Sequence, residues 1–240
     1  MVKKARQQQQ KPKKRQTPKT KSTNGGRLPV DMEVEIKLPC DELSWLVEAG
    51  LDLEVVEERH FEDNWVYKLP DGKLRKGQYL RVRYVGDGDG AGRRHEGKLT
   101  YKGKSRRETA AAANGRHKGK KVREEIETTV EQPFKVVKIF KRLGLLRSFR
   151  YQKYRTIYSV TLDDGRSLLA MFDETPIGNF LELEGDSAII EAVAKELGYP
   201  KSAFMSESYV EMQVARCAAR GAALSDMVFE DKKKTAKKKK

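Results

Sequence analysis

Strand-like alternation with charges on one side recurs along this chain, and it limits the folds open to the chain more than any other feature. In Glu33-Val34-Glu35-Ile36-Lys37, Glu33, Glu35 and Lys37 share one face and Val34, Ile36 and Leu38 the other. The pattern returns in Leu80-Arg81-Val82-Arg83-Tyr84, in Lys98-Leu99-Thr100-Tyr101-Lys102 and in Arg123-Glu124-Glu125-Ile126-Glu127. It returns again around Lys153 and Arg155, at Asp173, and in Leu181-Glu182-Leu183-Glu184. One Glu-x-Glu or Arg-x-Arg alone is an ordinary solvent-facing strand. Here acids open and close the series and bases fill its middle. If the Val, Ile and Leu faces pack outward under helices, the charged faces converge. A dry interior does not hold unpaired charges, because each costs several kcal/mol or more. The expectation is a wet, charge-lined cavity.

The periodicity predicts about eight strands, near 30–38, 54–68, 80–84, 98–102, 123–130, 146–162, 167–173 and 180–185. Asp41 is placed to cap a short helix carrying Leu43, Leu46 and Val47, and Pro133 to start a second that ends at Gly144. Two more helices are predicted near 187–197 and 207–220. Hairpins and short helical links, without regular βαβ alternation, favour an antiparallel sheet. Eight strands suffice to close it. The fold class expected is α+β, an eight-stranded antiparallel β-barrel, or tunnel, with flanking helices.

The net charge of +15 is unevenly distributed. Residues 1–28 carry ten Lys/Arg and no acid, and residues 232–240 carry seven Lys and no acid. Without those seventeen cations the stretch 29–231 stands at −2. The basic stretch of about 103–121 reads as a flexible loop, residues 1–28 and 222–240 as disordered basic tails, and 29–221 as the tunnel domain. Cys40 and Cys217 stand in no metal-ligand spacing, which suits a reducing cytoplasm. No apolar run is long enough to cross a bilayer, so no membrane association is expected.

Lys and Arg rows inside a pocket suit phosphate oxygens. Clustered carboxylates without His or Cys nearby suit a hard divalent cation, Mg²⁺ or Mn²⁺. A polyanion resting on the bases and bridged by metal to the acids is the part list of phosphoryl or nucleotidyl transfer.

These residues carry a family likeness. The chain resembles the CYTH domain, or triphosphate tunnel metalloenzyme family, which includes class IV adenylyl cyclases and thiamine and inorganic triphosphatases. Its Glu-x-Glu-x-Lys matches Glu33, Glu35 and Lys37, its Arg-x-Arg matches Arg81 and Arg83, and its next basic strand matches Lys102. Arg123 to Glu127, then Lys153 with Arg155, then Asp173, Glu182 and Glu184 match the later motifs. The resemblance implies an enzyme with Mg²⁺ or Mn²⁺ held by Glu33, Glu35, Asp173, Glu182 and Glu184. Lys37, Arg81, Arg83, Lys98, Lys102, Arg123, Lys153 and Arg155 would bind substrate, and Glu125 or Glu127 would position an attacking water.

The implied substrate is a triphosphate-bearing small molecule, hydrolysed as inorganic, nucleoside or thiamine triphosphate. The alternative is cyclisation of ATP to cyclic AMP. The protein is expected as a cytoplasmic monomer or homodimer. A further alternative gives the work to the tails, through weak, nonspecific, salt-sensitive contact with nucleic acid or polyphosphate. Deleting residues 1–28 and 232–240 is expected to leave steady-state hydrolysis intact. Loss of turnover on that deletion would speak for the tails over the tunnel.

Overall fold

Val34, Ile36 and Leu38 are buried on one side of the first strand, β1 (Met32–Pro39), and Glu35 and Lys37 are buried on the other. Neither face of the strand meets bulk water, so the sheet it belongs to must be covered on both sides. In this computed structural model, which describes residues 32–42, 51–69, 77–86, 96–104, 106–107 and 120–230, the cover on the charged side is the sheet itself. The strands that follow are β2 (Asp52–Lys68), β3 (Tyr79–Gly86), β4 (Glu96–Lys102), β5 (Arg106–Arg107), β6 (Lys121–Val130), β7 (Leu146–Thr161), β8 (Ser167–Thr175) and β9 (Gly178–Glu184). They pair in the order β1-β9-β8-β7-β2-β3-β4-β6, and β6 returns to β1. Every strand pair is antiparallel, and the ring closes as an eight-stranded barrel with the two-residue β5 added beside β6.

The apolar faces do point outward. Val34, Ile36, Leu38, Val160, Leu168, Ala170, Leu181 and Leu183 form one core with Ile190, Val193 and Ala194 of the helix Ser187–Glu196. Burying each such aliphatic side chain contributes about 1.5–3 kcal/mol. The Asp186 side chain caps this helix by accepting from the Ala188 and Ile189 amides. The helix Pro133–Arg142 is α1, Ser187–Glu196 is α2 and Tyr209–Ala219 is α3. α1 lays Phe140 against Tyr67, Val82 and Tyr84 on another part of the outer wall. None of the helices among the described residues is long and apolar enough to cross a membrane.

Two boundaries differ from the sequence reading, while the helix expected after Asp41, with Leu43, Leu46 and Val47, falls outside the described residues. The basic run ends earlier than residue 121: Lys121 opens β6, and the Lys120 ammonium is buried on Ser187 and Glu191 of α2. The domain also continues past residue 221. Met227 is 1% exposed and exchanges backbone hydrogen bonds with Arg150 and Gln152. It covers the part of β7 that β8 does not reach, where unpaired strand groups would otherwise be left exposed.

Gly97 is where α1 meets the barrel. A Cβ there would sit 2.2 Å from the Arg83 carbonyl oxygen and 2.9 Å from the Pro133 ring. Replacing Gly97 with Ala is expected to destabilise the fold by about 1–3 kcal/mol, the usual cost of forcing extra volume into a packed site. Chemical denaturation checks this, and an unchanged midpoint would mean that β4 and α1 are free to separate.

Candidate active site inside the barrel

Because side chains alternate, outward packing of Val34 and Ile36 turns Glu33, Glu35 and Lys37 into the bore. The ladder then fixes their neighbours: Glu35 lies opposite Glu184 and Lys37 opposite Glu182 on β9, while Glu33 faces Arg123 and Glu35 faces Lys121 on β6. On the same inward side stand Arg81 and Arg83 of β3, Lys98 and Lys102 of β4, Glu125 and Glu127 of β6, and Lys153 and Arg155 of β7. Asp173 of β8 completes the set. The structure thus brings every residue singled out from the sequence into one bore.

Two groups of charges line the bore. In the first, Asp173 accepts from Arg155 Nε at 2.6 Å, Arg155 Nη2 at 2.6 Å, Lys153 Nζ at 2.8 Å and the Tyr209 hydroxyl at 2.6 Å. Glu182 binds Lys37 at 2.7 Å and also pairs with Arg155. Burial would raise the Glu182 carboxyl, but Lys37, Arg155 and Lys153 outweigh it and hold it well below the usual range. Arg81 reaches Thr100 at 3.1 Å, Glu127 at 3.3 Å and the Tyr151 hydroxyl at 3.3 Å. Burial would push the Tyr151 phenol up, yet Arg81, Lys153 and Arg83 bring it down. The wall is net positive at that point.

Glu33, Glu35, Glu125 and Glu184 form a second group, with Glu125 also 3.4 Å from Arg81. Burial and then Glu35 push the Glu33 carboxyl well above its ordinary value, against the pull of Lys102. Burial, Glu35 and Glu125 raise Glu184 to about 7. Lys102 serves Glu33 at 3.1 Å and also pairs with Glu125, and Lys121 serves Glu35 at 2.6 Å. Arg81 adds a cation beside Glu125, and Arg123 stands opposite Glu33 on the ladder. Lys98 sits farther out, 39% exposed at its side chain, on Glu127 at 2.9 Å.

This donor set fits a hard divalent cation by chemistry: oxygen ligands only, with carboxyls whose mutual repulsion a cation would relieve. Among the described residues, no three of His, Cys, Asp and Glu already converge as a metal cage. Of the acids proposed as ligands, Glu33 and Glu35 are engaged by Lys102 and Lys121, Asp173 and Glu182 by Lys153, Arg155 and Lys37, and Glu184 lies opposite Glu35.

Sequence reasoning missed Glu62, Asn64, Lys121, Tyr79, Tyr151 and Tyr209. Glu62 is 1% exposed and meets Arg83 Nη1 at 2.8 Å and Lys153 at 3.4 Å, while Asn64 accepts from Arg83 Nε at 3.0 Å. Three successive polar residues, Glu62-Asp63-Asn64, hide the period, because Asp63 on the opposite face is also buried and is held by Arg150 at 2.8 Å. Lys121 is masked by the basic run before it.

Residues 31–209 match the family described as the CYTH domain. Among solved structures, a Vibrio parahaemolyticus protein named as a candidate adenylate cyclase is similar at TM-score 0.54 and 18% identity, covering 75% of this chain and 95% of that one. Two proteins of Pyrococcus horikoshii are also similar. One has TM-score 0.51 and 20% identity, covering 74% of this chain and 96% of its own; the other has 0.50 and 23%, covering 77% and 99%. No curated protein sequence matches the chain significantly.

His60, at the edge of this network, gives a pH test. Its Nε2 lies 3.6 Å from Glu62 and 3.9 Å from Glu57. Burial would lower the imidazole, but the hydrogen bonds to Glu62 and the Glu58 carbonyl, with the charges of Glu62 and Glu57, raise it. A raised folded-state value means that the stabilisation is complete below the ordinary value near 6.5 and fades as pH rises through the folded one. Urea melts of wild type and His60→Gln at pH 6 and pH 8 are expected to differ more at pH 6. An equal difference at both would remove the imidazolium from the account.

Proposed function

The chain belongs to the CYTH domain family, and from that premise we propose that it is a divalent-metal-dependent triphosphatase, hydrolysing inorganic, nucleoside or thiamine triphosphate within the barrel. The observation that carries this reading is a pair of buried donors with no acceptor among the described residues, Nε of Arg81 and Nε of Arg123, in a bore that also holds the buried carboxyls of Glu33 and Glu184. Buried N–H groups are rarely left unpaired, and phosphoryl oxygens are the acceptors that guanidinium groups match best. The likeness to a candidate adenylate cyclase bears on the fold; the chemistry rests on the lining.

In this mechanism Arg81, Arg83, Arg123, Lys37, Lys153 and Arg155 neutralise and align the phosphate chain. Glu33, Glu35 and Glu184 would hold the metal, with Asp173 and Glu182 behind them. When bound, Mg²⁺ or Mn²⁺ supplies charge neutralisation at the phosphoryl oxygens. Glu125 and Glu127 orient the attacking water. Burial would raise both carboxyls, but for Glu125 the Glu33 hydrogen bond, Lys102 and Arg81 outweigh it, and for Glu127 Arg81, Arg83 and Lys98 do. Both are thus weak proton acceptors, so their contribution is positional, as suits a reaction in which positioning and electrostatics dominate. Water oxygen bonds to the terminal phosphorus, and the bridging P–O bond breaks. Orthophosphate leaves, with the shortened chain as the other product.

Assays with inorganic triphosphate, thiamine triphosphate and ATP, with Mg²⁺ or Mn²⁺, should release phosphate. Cyclic AMP with pyrophosphate from ATP would reassign the reaction to cyclisation, and no turnover of any of the three would reject the proposal. Glu33→Gln and Glu184→Gln are each expected to lower turnover by about 100-fold or more, in line with losing one transition-state contact. Their metal-free melting temperature should hold or rise, because like charges in the bore are reduced. A variant that unfolds would show a structural role instead.

A further inference from the structure

The two ends of the bore differ. At one end its lining is partly open: side-chain exposure is 39% at Lys98, 28% at Glu127, 16% at Glu125 and 11% at Glu33. Deeper in, it is 4% at Lys37, 2% at Lys153 and 0% at Asp173. Past those residues the inward positions turn apolar. Val66 of β2, Phe149 of β7 and Phe180 of β9 continue the faces that carry Asn64, Tyr151 and Glu182, and they pack with Tyr209 and Met227 in one buried cluster.

Tyr209 is the member of that cluster that meets the charges. It opens α3, whose first turn is fixed by a capping box between Ser208 and Glu211. Its ring lies 5.8 Å from Tyr151 and 5.8 Å from Phe180 by centroid, and its hydroxyl donates to Asp173. Lys37 Nζ stands 4.4 Å and Lys153 Nζ 5.4 Å from the ring centroid. The innermost cations of the bore therefore rest directly on this ring, with Met227, 1% exposed, in the apolar packing behind it.

We infer that Tyr209 is the floor of a bore that, among the described residues, is open at one end only, and that it restricts the substrate to a phosphate chain with one free end. The bare terminal phosphoryl group goes in first, toward Lys37 and Lys153. Any organic group, whether nucleoside or thiamine, stays at the mouth near Lys98 and Glu127. A polyphosphate esterified at both ends has no bare end to insert, so the ring excludes it on shape rather than charge. The inference rests on the triphosphate reading and narrows it.

The test is thermal stabilisation of the full chain with Mg²⁺ present, using inorganic triphosphate, ATP, diadenosine tetraphosphate (which matches ATP in charge) and ATP methylated on its terminal phosphate. Wild type should be stabilised by the first two and bind the doubly esterified compounds at least 100-fold more weakly. Tyr209→Ala should narrow the gap between ATP and its methyl ester at least tenfold, whereas Tyr209→Phe, which keeps the ring, should preserve it. Wild type that ignores inorganic triphosphate would overturn the triphosphate reading itself. Wild type that binds triphosphate and diadenosine tetraphosphate equally would overturn the floor alone. So would a folded Tyr209→Ala protein whose gap is unchanged. The wild-type series decides the matter even if that variant fails to fold.

Discussion

Compensation of buried charge between neighbouring strands is the constraint on which this barrel depends. An ammonium or carboxylate removed from water costs several kcal/mol unless a partner is supplied at contact distance. Here the antiparallel ladders supply it. Arg155 is opposite Asp173, Lys37 is opposite Glu182, and Glu62 lies beside both Arg83 and Lys153. Each of these pairs is made across one ladder of neighbouring strands, and the β1–β6 ladder that closes the ring adds Lys121 on Glu35. The apolar outer faces under α1 and α2 provide the driving force that the ion pairs do not.

The compensation is incomplete in an orderly way. Asp173 receives four donor contacts and Glu182 is held by two cations, so that side is balanced by its own residues. On the Glu33, Glu35, Glu125 and Glu184 side, Lys102 and Lys121 pair with three of the acids, and burial, followed by the charge of Glu35, raises the Glu33 and Glu184 carboxyls. Arg81 and Arg123 keep Nε donors that are unpaired among the described residues. A polyanion with a divalent cation removes both deficits at once; either alone would deepen one of them. Binding of the two is coupled on this reading, since each neutralises what the other brings in.

The architecture could be read from the sequence because it rests on a period of two. Wherever apolar and charged residues alternate strictly, as in Val34-Glu35-Ile36-Lys37 or Leu181-Glu182-Leu183-Glu184, one face must be core, and the repeated sign pattern then identifies the other as a bore. Legibility failed where the period carried no contrast. In Glu62-Asp63-Asn64 all three residues are polar and all three are buried, two in the bore and one beneath Arg150. It failed again where composition overrode position, as at Lys120 and Lys121, whose basic neighbours suggested a loop. The contributions of Tyr209 and Met227 are tertiary. Nothing in a helix start or in a segment beyond the last helix signals that it will close a barrel whose first strand begins at Met32.

That late closure explains why Met227 and Phe229, beyond the last helix, are packed on the barrel. A barrel whose interior is charged cannot end in an apolar plug of its own strands without leaving ladder groups of β7 exposed where β8 stops short. Met227 solves both problems: its backbone completes the edge at Arg150 and Gln152, and its side chain fills the space beside Phe149 and Tyr209. Phe229 extends the cover by donating its amide to Gln152 and setting its ring 5.2 Å from Tyr154. The end of the barrel that holds the innermost cations is thus the end most heavily tied down. The opposite end, with Lys98 and Glu127 half in water, is left with the freedom that admitting and releasing a charged ligand requires.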